Sequence, residues 1–104
     1  MDKRTNKIIK QYVKAVADTY PGFVTAYSFG SFNTPRQTED SDIDIALIIN
    51  SLEDSKRFDL QVQLMILALK YDNRIEPHPI SKSEFNASNP FFAQILNTGK
   101  EIQI

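Results

Sequence analysis

Asp42 and Asp44 stand two residues apart at the head of DIDIALII, and Glu76 follows in RIEPHPI. On an extended strand, residues two apart leave the same face, so both aspartates project one way while Ile43 and Ile45 go to the core. At about 5 Å and an effective dielectric of about 20, two such carboxylates repel by roughly 3 kcal/mol, and Glu76 on the same face adds comparable terms. A fold keeps that cluster with a cation or shared protons. Hard divalent cations take oxygen ligands, and Mg²⁺ in phosphoryl-transfer sites is held by one or two carboxylates plus the substrate's phosphates. Taken alone, Asp-x-Asp also describes two solvent-facing residues of an amphipathic strand, and that is the more ordinary reading.

Gly30-Ser31 makes it more specific, since it lies ahead of Asp42 at the end of the apolar run FVTAYSF. A glycine there lets backbone amides approach an anion, and a serine hydroxyl at the start of the next turn can donate to a terminal phosphate. By itself the pair is an ordinary strand-ending turn. His78 would share a face with Glu76 on a regular strand and so could touch the site, although a lone histidine is more often structural or solvated. Tyr27 and Phe29 read as core, and Phe91-Phe92 as core that in part marks a partner surface.

These residues require a small set of elements. Apolar residues at Ile8, Ile9, Tyr12, Val13, Val16, Ala17 and Tyr20 fall on one helical face, predicting a helix over 6–20 that Pro21-Gly22 ends. Phe23–Phe29 reads as a strand, 31–41 as a polar loop, and 42–49 as a strand buried on both faces with an exposed first end. Residues 54–71 predict a second, well-buried helix, and 74–80 a short strand candidate weakened by Pro77 and Pro79, which suit an edge or a strand end. After a polar connector over 81–89, Pro90 opens a last helix that Gly99 caps, and 101–104 can close as a final strand. The order helix, strand, strand, helix, strand, helix indicates an α/β (α+β) fold, helices on a small mixed sheet.

With 104 residues, 41% hydrophobic and 24% charged, the chain predicts one domain spanning 1–104, with no room for a separate substrate-binding domain. Twelve Lys and Arg against thirteen Asp and Glu exclude a polyelectrolyte-binding stripe, so stable duplex nucleic-acid binding and a polymerase role are not expected. The local basic group Lys3, Arg4, Lys7, Lys10 and Lys14 reads as a solvated helix face. The absence of cysteine excludes disulfides and thiolate chemistry. No signal-peptide h-region and no apolar run near ~20 residues is present, which predicts a cytoplasmic protein without membrane association.

FGSFNTPRQTEDSDIDIALI resembles the signature of the DNA polymerase β-like nucleotidyltransferases, Gly-Ser followed at a fixed interval by Asp-x-Asp, and RIEPHPI resembles the strand that supplies their third carboxylate. The resemblance covers nearly the whole chain, at the size of the minimal, prokaryotic members. It implies that Asp42, Asp44 and Glu76 are the catalytic and metal residues, binding Mg²⁺ in what would be a two-ion site, with Glu76 assisting the attacking hydroxyl. It implies that Gly30 and Ser31 hold the triphosphate of ATP, with Ser41 and Arg36 as further nucleotide-binding candidates. The chain departs from the family at Thr34 and Pro35, where a basic residue and a glycine are usual, so the loop's cation would have to be Arg36. Minimal members often pair with a small helical HEPN protein in toxin–antitoxin systems. That implies transfer of AMP to a hydroxyl on such a partner, with a contact-only binding module as the alternative. Antibiotic adenylyltransferases rank last, since they generally carry an additional helical domain.

Overall fold

The structure, a computed structural model, describes residues 3–29, 42–86 and 88–104. Helix α1 runs Lys3–Thr19 and buries Ile9, Tyr12, Val13 and Val16, the spacing of one helical face. It starts three residues earlier than its apolar pattern, because the first turn is polar and is carried by the helix that follows. Strands β1 (Phe23–Phe29) and β2 (Ile43–Ile49) pair antiparallel. Helix α2 (Asp54–Ala68) then crosses over to β3 (Ile75–Ser81), which pairs parallel with β2. A parallel pair requires such a crossover, and a helix of this length supplies it. A 3₁₀ turn at Lys82–Glu84 leads to α3 (Pro90–Thr98) and the two-residue strand β4 (Lys100–Glu101).

The sheet order is β3-β2-β1-β4, mixed, as expected. Alternation along β2 sorts its side chains into two cores. Ile43, Ile45, Leu47 and Ile49 pack with α1 and α2, whereas Ala46 and Ile48 join Phe29, Ile80, Phe92 and Ile95 beneath α3. Tyr12 fastens α1 to α2 by donating its hydroxyl to the Leu64 carbonyl at 2.9 Å. Burial, followed by the neighbouring Tyr20, pushes the Tyr12 phenol well above its ordinary range, so it stays a donor. Pro77 and Pro79 are tolerated because β3 is an edge strand, and being two apart they withhold N–H groups on one side only.

Two expectations need correction. Helix α2 ends at Ala68 rather than at 71, and it is not well buried: only Leu64 and Ala68 are fully covered, while Phe58, Val62, Met65, Ile66 and Leu69 are exposed. Its apolar residues lie on two opposite faces, and a one-layer packing can cover only one of them. The final strand begins at Lys100 and spans two residues, with Ile102 donating to the Ala26 carbonyl at 2.8 Å beyond it. Gly99 is required there by close approach, since a Cβ would lie 2.4 Å from the Ile95 carbonyl oxygen. Among the described residues, no helix is long and apolar enough to cross a membrane.

The entry to β3 is held by an ion pair that also sets a pH response. Arg74 donates from Nη2 to Asp72 Oδ2 at 2.8 Å and from Nε to Oδ1 at 3.0 Å, and the Arg74 backbone amide reaches Oδ1 at 2.9 Å. The Arg74 guanidinium hydrogen bond holds the Asp72 carboxyl below the usual aspartate range against the opposing effect of burial. A depressed folded-state value means stability that is present above the unfolded value and lost as pH falls through the folded one. Asp72→Asn should therefore cost about 1–3 kcal/mol at neutral pH, and the difference from wild type should vanish in acid. Urea unfolding of both proteins across that range checks it, and a pH-independent difference would contradict the assignment.

Candidate active site

The site forms where β1, β2 and β3 meet. Asp44 pairs in register with Phe29 on one side and Glu76 on the other, so the aspartate and glutamate are nearest neighbours on adjacent parallel strands. Ala46 pairs with His78 in the next step along. These residues project to the face that carries α3, because their neighbours Ile43, Ile45 and Ile75 belong to the opposite core.

His78 Nε2 lies 3.0 Å from Asp44 Oδ1, with about a quarter of each side chain exposed. The Phe29 ring packs 5.3 Å from the imidazole, and the Phe91 ring meets Phe29 edge-on at 5.8 Å. The imidazole thus has an aromatic neighbour on one side. Among the described residues, one ligand atom each from Asp44, Glu76 and His78 lies within 4.8 Å of the others. Two carboxylates and an imidazole at that spacing are a donor set for a divalent cation, and the two carboxylates are the part of it that fits the Mg²⁺ the sequence pattern implies.

Of the residues expected from the sequence, the structure thus brings Asp44 and Glu76 together. Asp42 is exposed, one residue before β2 begins, and is outside that group. Gly30, Ser31, Arg36 and Ser41, with Thr34 and Pro35, lie outside the described residues. His78 is legible in the sequence only as a residue two positions from Glu76 on a strand. Its contact with Asp44 depends on the parallel pairing of β2 and β3, which the sequence does not display.

The polymerase β nucleotidyltransferase profile matches residues 11–103. The chain belongs to that family. This nucleotidyltransferase domain shares its fold with a chain of a toxin–antitoxin structure with AMP-PNP, at a TM-score of 0.62 and 24% identity over 90% of this chain and 72% of that one. It is similarly close to a chain in the structure of the tri-AMPylated Shewanella oneidensis HEPN toxin in complex with MNT antitoxin: TM-score 0.61 and 21% identity, covering 94% of this chain and 71% of that one. A third likeness is to the toxin–antitoxin structure MntA–HepT, with a TM-score of 0.58 and 22% identity over 97% and 72% of the respective chains. At such identities the likeness is one of fold. Comparison with curated proteins gives no match.

Proposed function

We propose that residues 1–104 act as one nucleotidyltransferase domain that transfers AMP from ATP to a hydroxyl group on a small helical HEPN-type partner, and so serve as its antitoxin. The observation that carries this reading is the pairing of Asp44 with Glu76 on adjacent strands of a polymerase β nucleotidyltransferase fold. Structures sharing the fold include one with AMP-PNP and one with an AMPylated HEPN toxin, which supports the choice of nucleotide and of acceptor class.

In the proposed reaction the acceptor oxygen forms a bond to the α-phosphorus, the bond from that phosphorus to the bridging oxygen breaks, and pyrophosphate leaves. The hydroxyl proton passes to a carboxylate, for which Glu76 is our candidate. Asp42, Asp44 and Glu76 would hold Mg²⁺, which supplies neutralisation of phosphate charge. Gly30, Ser31, Ser41 and Arg36 would hold the triphosphate. The protein's own contribution is chiefly positioning and electrostatics.

The exposed row Phe58, Val62 and Met65 on α2, continued by Leu69 just past its end, favours a protein partner, because it has the apolar character of an interface core. It also keeps open a second reading, in which the domain neutralises its partner by contact alone. Incubation with labelled ATP and Mg²⁺, with and without the helical partner, separates the two. Label on the partner, and its loss when Phe58 and Met65 are both replaced by Ser, is the expected result. Partner binding without any transfer would leave the contact reading.

A further inference from the structure

The proposed reaction needs a cation held by oxygen ligands, yet the described donor set contains a nitrogen. His78 and Glu76 are two residues apart on β3, which places both on the sheet face that carries Asp44. The side-chain distances define what such a set can hold. Two ligands in adjacent positions around an octahedral ion, each about 2.1 Å from it, are about 3.0 Å apart, and opposite ligands are about 4.2 Å apart. The His78 Nε2 to Asp44 Oδ1 separation is 3.0 Å, the adjacent-ligand value, and no pair in the group of three exceeds 4.8 Å. Closing a pair at that bound to the opposite-ligand limit takes at most about 0.6 Å, within the reach of small side-chain rotations.

The imidazole is also aimed. Phe29 packs against its ring at 5.3 Å, and Nε2 is the atom turned toward Asp44. A histidine merely filling space at an edge strand would not need its nitrogen on a carboxylate at the head of the central strand. Imidazole suits first-row transition ions, whereas Mg²⁺ takes oxygen ligands and gains little from a nitrogen. Mn²⁺ reconciles both demands, since it accepts carboxylate, phosphate and water as well as imidazole.

We infer that His78 is a metal ligand beside Asp44 and Glu76, and that this nitrogen makes the site select Mn²⁺ over Mg²⁺. The inference rests on the proposed reading of the carboxylates as a metal site, and the experiment separates the two. Mn²⁺ and Mg²⁺ binding to the purified chain is measured by titration calorimetry, for wild type and His78→Gln, and bound Mn²⁺ is examined by electron spin-echo spectroscopy. Expected are Mn²⁺ binding about tenfold or more tighter than Mg²⁺ in wild type, and nitrogen-14 modulation from a directly bound imidazole. His78→Gln should abolish that modulation and lower Mn²⁺ affinity by about tenfold, which removes most of the preference. Mn²⁺ bound without nitrogen modulation in wild type, a result that needs no variant, would overturn the assignment of His78 while sparing the carboxylates. Failure of wild type to bind either ion would overturn both readings together.

Discussion

Asp44→Asn is expected to lower the proposed AMP transfer by on the order of 10³-fold, equivalent to about 4 kcal/mol of transition-state stabilisation, with the fold intact. The substitution keeps the side chain's shape and removes its charge. The introduced amide would still present an oxygen toward His78 Nε2, so the 3.0 Å contact and the packing around it survive. What is lost is one of two carboxylates that β2 and β3 hold opposite each other, and with it most of the attraction they would offer a divalent cation. Because the Asp44 side chain is 24% exposed, its removal leaves no sealed unpaired group to unfold the strand. Transfer rates should collapse while thermal melting stays within a few degrees. Transfer at the wild-type rate would exclude Asp44 from the chemistry, and a large drop in melting temperature would recast it as a structural residue.

The same residue shows how far the sequence can be read. DIDIALII displays its own burial, and β2 is covered from Ile43 to Ile49 apart from Asp44, so the exposed head of a buried strand is visible in eight letters. Pro77 and Pro79 mark either an edge or a strand end for a local reason, the absence of N–H groups, and the pairing settles it as an edge. The pairing of Asp44 with Glu76 has no such local mark. It follows from α2 carrying the chain over the sheet so that β3 runs parallel to β2, and shifting the register by one residue would send Glu76 and His78 to the opposite face. His78 is thus a candidate by proximity in the sequence and becomes part of the site only through tertiary pairing. Helix α2 misleads in the other direction. Its apolar content is plain in the sequence, but composition does not state how many layers will cover a helix, and here there is one.

That last point predicts opposite outcomes for two apolar residues on the same helix. Leu64→Ala should destabilise the chain by about 2–5 kcal/mol, whereas Phe58→Ala should change stability by less than about 0.5 kcal/mol. Leu64 is wholly buried among Ile43, Ile45 and the α1 residues of the larger core, and its carbonyl receives the Tyr12 hydroxyl, so truncation leaves a cavity beside a buried hydrogen bond. Phe58 is 73% exposed in the first turns of α2, where alanine is also the better helix former. For a domain whose whole stability is about 5–15 kcal/mol, the first change lowers the melting temperature by roughly 10 °C or more and the second is nearly silent. Urea midpoints at several protein concentrations measure both. Equal losses for the two variants would mean that the row on α2 is covered in the isolated protein. A loss for Phe58→Ala that grows with protein concentration would show that a second copy is what covers it, since only an association in the folded state makes stability depend on concentration.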